Sequence, residues 1–134
     1  MSDRLSMPEM NRVILAGRLT MDPDHLVLPS GQERTRLRLA CNRRFRNRQG
    51  DLQSEEGFFS VVVWNRVASL CKEYLKKASP VLVEGRLHQS RWVTDGGESR
   101  DAIEVVATRV HFLGRPIEDA VPEFESVESE VAEA

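Results

Sequence analysis

Alternating apolar and polar positions predict five β-strands in this chain. The alternation is clearest at Leu37, Leu39 and Cys41, which are separated by arginine or alanine. The predicted strands are residues 11–20, 35–44, 56–65, 81–92 and 102–113. Two of them contain interior glycines, Gly17 and Gly85, and such glycines indicate the sharp bends that close a barrel.

A stretch with a helical period lies between the third and fourth strands. Its apolar residues recur at three- and four-residue spacing, which predicts one amphipathic helix of about three turns packed on the sheet. Asn65 is expected to cap the first turn, and Pro80 prevents the helix from continuing. The apolar stripe consists of Val67, Leu70, Cys71, Tyr74 and Leu75.

The order of these elements predicts the fold class. Three strands, one helix and two further strands match an all-β, five-stranded Greek-key OB-fold barrel, with the helix between strands three and four and a long hairpin between strands two and three. Residues 22–31, punctuated by prolines and a glycine, are expected to form a loop. A meander sheet with a packed helix has the same order of elements, but the interior glycines favour the closed barrel.

The period of two in a strand also assigns side chains to the core. The base of the long hairpin is expected to bury Leu39, Phe59, Val61 and Val63. The other face of the third strand then carries Phe58, Ser60, Val62 and Trp64. The fourth strand is expected to point inward with Val81, Val83, Gly85 and Leu87. Its outer face then aligns Arg86 with Trp92.

The long hairpin has an arginine-rich tip that surrounds Phe45. By strict alternation Phe45 falls on the core side, which conflicts with the arginines around it. Either a bulge shifts the alternation, or the hairpin leaves the barrel near Asn42 and projects beyond it. We favour the second explanation, because four arginines in six residues cannot cover a core. The tip arginines are Arg43, Arg44, Arg46 and Arg48.

The length of 134 residues suits a single folded domain. No apolar run is long enough to span a membrane, and the first nine residues lack the apolar core of a signal peptide, so the cytoplasm is the expected location. We expect residues 1–9 to be a disordered extension, residues 10–114 to be the folded domain, and residues 115–134 to be a disordered acidic tail.

The net charge of −2 conceals a division along the chain. Residues 116–134 contain seven acidic residues and no lysine or arginine. Residues 1–115 therefore hold 19 basic residues against the remaining 14 of the 21 acidic ones, a net charge of +5. A basic body with an acidic tail is typical of proteins that bind a polyanion.

Catalytic and cofactor-binding patterns are not recognisable in the sequence. The chain has no phosphate-binding glycine loop and no nucleophile–histidine–acid arrangement, so we expect neither an enzyme nor a cofactor. Cys41 and Cys71 lie in apolar contexts without CxxC spacing, and reduced core thiols are expected. The three histidines form no ligand set, and no metal site is expected.

Aromatic rings among arginines are the pattern that indicates a ligand. Rings can stack on bases while guanidinium groups pair with phosphates, and together they suit single-stranded nucleic acid. The predicted stacking residues are Phe45, Phe58, Trp64 and Trp92. The predicted phosphate contacts are Arg36, Arg38, Arg43, Arg44, Arg46, Arg48, Arg86 and Arg91. The alternative is that the rings fill the core and the arginines only solvate the surface.

Four segments of the chain are recognisable, namely NRVILAGRLTMDPD, LPSGQERTRLRLACNRRFRN, FFSVVVWNRVASLCKEYLKKAS and VLVEGRLHQSRWVTDGG. They closely resemble the bacterial single-stranded DNA-binding protein family, over residues 10–113. The resemblance implies an OB-fold that assembles as a homotetramer and binds single-stranded DNA without sequence specificity in replication, recombination and repair. It places the family's stacking positions on the four aromatic residues named above, and it makes Met10 the usual family start.

The tail departs from the pattern of that family. Its members typically continue through a Gly-, Pro- or Gln-rich linker to an acidic tip ending in Ile-Pro-Phe, which recruits replication and repair proteins. This sequence ends in EVAEA, which is acidic but lacks the aromatic residue. Either the chain is a specialised or divergent member of the family, or its tail competes with DNA without recruiting partners.

Two other functions stay open at this point. The barrel can serve as a protein-interaction module of a replication-restart complex, with DNA binding secondary. It can also be directed to RNA, since stacking and phosphate pairing do not exclude ribose. Binding of single-stranded DNA is the interpretation that both the aromatic–arginine pattern and the resemblance favour.

Overall fold

The computed structural model describes residues 6–114 and the backbone of Ser126–Glu128. The described residues form β1 (Val13–Leu19), β2 (Asp24–Val27), β3 (Glu33–Arg46), β4 (Leu52–Trp64), α1 (Asn65–Tyr74), β5 (Pro80–Val93), β6 (Ser99–Phe112) and β7 (Ser126–Glu128). The five predicted strands correspond to β1, β3, β4, β5 and β6, and the predicted helix corresponds to α1.

Five of the strands close into a barrel. They follow the order β1-β5-β6-β4-β3, and neighbours are antiparallel except for the parallel pair of β4 and β6. The circle is completed where Arg18 and Leu19 of β1 pair with Ala40 and Leu39 of β3. This closure confirms the predicted OB-fold and excludes an open meander.

Gly17 and Gly85 lie where the backbone of a neighbouring strand comes very close, and their predicted role in bending the strands stays a prediction. A Cβ atom on Gly17 would lie 2.1 Å from the carbonyl oxygen of Ala40, and one on Gly85 would lie 2.2 Å from the carbonyl oxygen of Val106. Next to Gly85 the register between β5 and β6 skips Thr108, which forms a bulge. Because the opposing atoms belong to the backbone, no side chain fits at either glycine.

The barrel core consists of alternating apolar residues from the strands, covered by the apolar stripe of α1. Leu37, Leu39, Val61 and Val63 are buried, as are Val81 and Val83 of β5. From the helix, Val67, Ala68 and Cys71 are buried, and Leu70 and Tyr74 are partly buried against the core. The predicted helix stripe and most of the predicted strand faces are therefore confirmed.

Both cysteines are free thiols in this structure. Cys71 is fully buried, and its burial raises the pKa of the thiol to about 12. Burial also raises the pKa of Cys41, which lies at the edge of the core. Both thiols therefore stay protonated near neutral pH, which makes them poor nucleophiles.

Two side chains that the sequence assigns to the core are exposed instead. Phe59 is 41% exposed and Leu87 is 45% exposed. Both have the same parity as core residues, so their direction along the strand is as predicted. They line an open groove together with Ile103, and no further layer of the described structure covers them there. Their assignment to the core was wrong.

Val62 shows the opposite departure, because it is assigned to the outer face but is only 3% exposed. Its neighbours in the sheet are Arg36 on β3 and Val106 on β6. Arg36 reaches past β4 to pair with Glu104 of β6, at 3.1 Å. This ion pair spans β4 on the outer face, so that face is covered at Val62.

Two local expectations between the main strands also need correction. Residues 22–31 are not all loop, because they contain β2, which pairs with β3 from Asp24 opposite Arg36 to Val27 opposite Glu33. Asn65 does not cap the helix. It is the first residue of α1, with a φ of 57°, and the preceding residue occupies the cap position without a side-chain cap hydrogen bond.

The acidic segment contributes one short strand. The sequence predicts disorder throughout residues 115–134, but the backbone of Ser126–Glu128 pairs with residues 109–111 of β6. Residues 1–5, 115–125 and 129–134 lie outside the described part of the chain, and the expected disorder there stays a prediction.

The long hairpin is a continuous ladder of β3 and β4. Its pairing runs without a register shift from Arg34 opposite Trp64 to Arg46 opposite Leu52, which excludes the bulge explanation. Residues 42–46 are exposed apart from half-buried Phe45, whereas Cys41 packs against the core. The barrel therefore ends near Asn42, as predicted.

Candidate nucleic-acid interface

Two antiparallel ribbons extend the sheet beyond the barrel. The first ribbon comprises residues 42–46 and 52–56 with the turn between them, and the second ribbon comprises residues 89–103. Their side chains are mostly exposed, because a two-stranded ribbon has no second layer to bury them. All four predicted stacking residues lie on these ribbons or on the barrel strands that lead into them.

Asn47 fixes the turn at the end of the first ribbon. Its side-chain oxygen accepts hydrogen bonds from the backbone N–H groups of Gln49 and Asp51, at 3.0 and 2.9 Å. Gly50 adopts a φ of 85°, and its carbonyl oxygen accepts a 2.8 Å hydrogen bond from Arg46. These local bonds are typical of an Asx-type turn, and they hold the arginine-rich tip in a defined geometry.

Phe45 lies on the first ribbon beneath an arginine. The guanidinium carbon of Arg43 is 4.4 Å from the centroid of the Phe45 ring. Arg43 also donates a 3.0 Å hydrogen bond from Nε to Oε1 of Glu55, the residue directly opposite it in the register. One face of the Phe45 ring is therefore covered by a guanidinium group that a carboxylate holds in place.

Phe58 lies at the base of the first ribbon and is 49% exposed. The guanidinium carbon of Arg38 is 5.7 Å from the centroid of the Phe58 ring, within the range of a cation–π contact. The two side chains come from neighbouring strands and share the outer face, because Arg38 pairs with Ser60, two residues beyond Phe58. An exposed ring and a cation thus lie side by side.

Trp92 lies on the second ribbon and is 49% exposed. The residue opposite it is Arg100, whose guanidinium pairs with Glu98 at 2.7 Å. Sequence reasoning misses Arg100, because it starts the fifth strand only at residue 102. Counting strand pairs outward from a turn centred on Gly96 would have placed Arg100 opposite Trp92.

Trp64 differs from the other three aromatic residues. It is half-buried, it ends β4 and it lies opposite Arg34 on β3. It shares the outer face of β4 with Phe58, because the two are separated by an even number of residues. Its position is at the junction of the barrel with α1 rather than on a ribbon.

The predicted arginines occupy two kinds of surroundings. Six are exposed: Arg38, Arg43, Arg44, Arg46, Arg48 and Arg91. Arg86 and Arg36 are half-buried, and Arg36 is engaged in the ion pair with Glu104. The Nε atom of Arg36 is buried without a hydrogen-bond partner, although the side chain as a whole is 37% exposed.

The structure brings the predicted residues together in pairs rather than in one cluster. Phe45 pairs with Gln53 across the β3–β4 ladder, so these two side chains share a face. Phe58 lies an odd number of residues from Gln53 on β4, so it belongs to the opposite face. On β5, Arg86 and Trp92 share one face, as predicted, since the pairing between them is regular. A ligand that contacts all four rings must therefore follow a curved path over the surface.

The described residues contain neither a cluster suited to a metal ion nor a membrane-spanning helix. No group of three or more histidine, cysteine, aspartate or glutamate side chains there could hold a metal ion. No helix in that part of the chain is both long and apolar enough to cross a bilayer.

The closed barrel and its helix define an OB-fold protein. Its exposed pairs of aromatic rings and arginines are typical of the class that binds oligomeric, anionic ligands. Comparison with known proteins identifies the family within this class. Residues 10–113 match the family model described as the single-strand binding protein family. The chain belongs to this family.

Curated relatives include two bacterial proteins that are each 41% identical to this chain. Single-stranded DNA-binding protein 2 of Chlorobaculum tepidum aligns over 110 residues, which span 81% of this chain and 74% of that protein. The single-stranded DNA-binding protein of Treponema pallidum aligns over 108 residues, 81% of this chain and 60% of its own length. The chain thus matches only part of the length of these relatives.

Solved structures of similar proteins share the fold. The Plasmodium falciparum SSB in complex with ssDNA superposes with a TM-score of 0.69 and 28% identity, over 77% of this chain and 90% of that one. A deletion mutant of the Thermus aquaticus single-stranded DNA-binding protein gives a TM-score of 0.72 and 26% identity, over 88% and 54% of the two chains.

Proposed function

We propose that this protein binds single-stranded DNA without sequence preference and protects it during replication, recombination and repair. The observation that carries the proposal is the pairing of exposed aromatic rings with arginines on an OB barrel, as at Phe58 and Arg38. Membership of the single-strand binding protein family supports the same ligand.

Bases stack on the aromatic rings in this proposal. Each stacked base contributes about 1–3 kcal/mol, and because every base has a π-face, the contacts do not depend on sequence. The stacking residues are Phe45, Phe58, Trp64 and Trp92. Since Phe45 and Phe58 lie on opposite faces of the β3–β4 ladder, the DNA strand curves around the first ribbon instead of crossing a flat sheet.

Phosphates pair with arginines distributed along the same path. The proposed contacts are Arg36, Arg38, Arg44, Arg46, Arg48, Arg86 and Arg91. Arg43, which the sequence also predicts as a phosphate contact, is engaged with Glu55 instead. Arg100 joins them, because it lies opposite Trp92 on the second ribbon. Each phosphate contact releases counterions, so the affinity falls as the salt concentration rises. We propose no catalytic step, cofactor or metal for this binding.

We further propose that the chain assembles as a homotetramer. In the described residues, the edge of β1 that faces away from β5 has no strand partner over residues 13–17, and Ile14 there is 58% exposed. The groove lined by Phe59, Leu87 and Ile103 is a second exposed apolar surface. An open strand edge and an apolar groove both favour association between copies of the chain.

The domain organisation follows from the same proposal. Residues 10–114 are the DNA-binding domain, residues 1–9 an extension and residues 115–134 an acidic tail. Replication and repair proteins are the proposed protein partners, but the acidic tail lacks the aromatic tip that the family pattern uses to recruit them. The protein is placed in the cytoplasm, with the nucleoid DNA that it binds.

Fluorescence titration tests the proposed function. Oligo-dT should quench the emission of Trp64 and Trp92 at low salt, because stacked bases quench indole rings, and added salt should reverse the quenching. A matched RNA oligomer and a DNA duplex serve as comparison ligands. Unchanged emission with oligo-dT at low salt would overturn the proposal, and equal affinity for RNA would overturn its restriction to DNA.

A further inference from the structure

Arg43 is held in place by two contacts at once. Its guanidinium lies over the ring of Phe45 at 4.4 Å, and its Nε donates to Oε1 of Glu55 at 3.0 Å. The cross-strand register supports this arrangement, because Glu55 is directly opposite Arg43 and Phe45 is two residues further along the same face. The three side chains form a small layered group near the tip of the first ribbon.

We infer that Arg43 stacks against a nucleobase and is not a phosphate contact, with Glu55 as the residue that positions it. The inference deepens the proposed function and rests on it. A base then packs on the guanidinium above Phe45, so that arginine and ring act as one stacking platform for a base of single-stranded nucleic acid.

The charges on the first ribbon favour this role. The carboxylate of Glu55 occupies the Nε edge of the Arg43 guanidinium, so a phosphate would have to compete with it for that edge. A guanidinium is planar and delocalised, and bases stack on its face as they do on an aromatic ring. The Arg43 side chain is 64% exposed, so a base can reach it from solvent.

Arg38 provides a contrast within the same chain. It lies over Phe58 at the longer distance of 5.7 Å, and among the described residues it forms no ion pair. No carboxylate in the described part of the chain holds Arg38 over its ring. Arg38 is therefore able to leave the ring and pair with a phosphate. Arg43 is not, because Glu55 holds it.

Salt dependence separates the two roles. The logarithm of the affinity for oligo-dT is measured against the logarithm of salt concentration for wild type, Arg38→Ala and Arg43→Ala. Loss of a phosphate contact lowers the slope by about 0.7 on a single strand. We expect that decrease for Arg38→Ala only. Arg43→Ala should keep the wild-type slope and bind at least about fivefold more weakly, through loss of a stacking partner.

Two further variants test the chemistry of the platform. Arg43→Lys keeps the positive charge but loses the planar group, so its affinity should fall as far as that of Arg43→Ala. Glu55→Gln releases the charge of Arg43 for phosphate pairing, and should steepen the salt slope by about 0.7. On an abasic oligomer of the same length, Arg43→Ala and wild type should bind equally, since no base is present to stack.

The outcomes distinguish this inference from the proposed function. If wild type does not bind oligo-dT at low salt, the proposed function fails and the inference fails with it. If wild type binds, but Arg43→Ala lowers the slope as Arg38→Ala does, or Arg43→Lys keeps wild-type affinity, only the inference is overturned. All these side chains are exposed, so unchanged unfolding midpoints are expected and serve as the control for folding.

Discussion

The hydroxyl group of Thr35 donates a 2.7 Å hydrogen bond to the carbonyl oxygen of Ala68. Thr35 lies on β3 and is fully buried, and Ala68 lies in the buried face of α1. The bond therefore joins the barrel wall to the helix in the interior of the protein. It satisfies a polar group that would be costly to bury alone.

Replacing Thr35 with valine tests the importance of this bond. Valine has nearly the same shape, so packing is kept while the hydrogen bond is lost, and we expect the free energy of unfolding to fall by about 1 kcal/mol. Urea unfolding measures the change. The affinity for oligo-dT should be unaltered, because Thr35 is enclosed. Wild-type stability in Thr35→Val would contradict the assigned role.

Gly85 should tolerate no side chain. A Cβ atom there would lie 2.2 Å from the carbonyl oxygen of Val106 and 2.9 Å from Cα of Ala107, and neither backbone atom can move away easily. We expect Gly85→Ala to lose about 1–3 kcal/mol of stability, as overpacked cores do. Gly96→Ala is the control, since the nearest atom to its Cβ would be 3.9 Å away. Equal unfolding midpoints for both variants would refute this prediction.

The sequence predicts the barrel well because its strands alternate strongly. Leu37, Leu39, Val61 and Val63 follow the period of two, and all four are buried. The end of the barrel near Asn42 was also predictable, since the arginines that follow are too many to cover a core. Period and composition are local properties, and a single sequence displays them directly.

The departures arise where burial depends on a neighbouring layer. Alternation gives the direction of Phe59 and Leu87, but it does not show that no layer covers them. Likewise, nothing in the sequence from Val105 to Val110 indicates the bulge at Thr108. Before the bulge the core residues have odd numbers, Val105 and Ala107, and after it they have even numbers, beginning with Val110. Exposure and register are set by tertiary packing, so the sequence pattern does not contain them.

The exposed groove provides a test of the proposed tetramer. Phe59→Asp places a charge in the groove, and if another subunit covers this surface, burial of the charge should break the assembly. Light scattering should then show a mass below that of a tetramer. Val93→Asp is the matched control, because Val93 is 66% exposed near the end of the second ribbon. A tetrameric mass for Phe59→Asp would exclude the groove as an interface.

Trp92 is expected to stack on DNA from the second ribbon. Trp92→Ala should weaken binding of oligo-dT by about 1–3 kcal/mol, because one base loses its partner. The adjacent Val93 points to the opposite face of the ribbon, so Val93→Ala should bind as wild type does. Filter binding with both variants measures the difference, and equal affinities would remove Trp92 from the stacking set.

The stability of the barrel should depend on pH through Glu84. Its carboxylate contacts Nε2 of His111 at 2.6 Å and Arg12 at 3.5 Å. The hydrogen bond from His111 lowers the pKa of Glu84 most. The charges of His111, Arg109 and Arg12 lower it further, against partial desolvation that raises it.

The direction of that shift sets the pH range. A carboxyl group whose pKa is lower in the folded than in the unfolded state stabilises the fold above the unfolded pKa, and this contribution is lost as the pH falls through the folded pKa. The stability difference between wild type and Glu84→Gln should therefore be present in full above the ordinary pKa of a glutamate, about 4.3, and shrink as the pH falls below it. Urea unfolding of both proteins across this range measures it. A stability difference that stays constant with pH would show that Glu84 is not the source of the pH dependence.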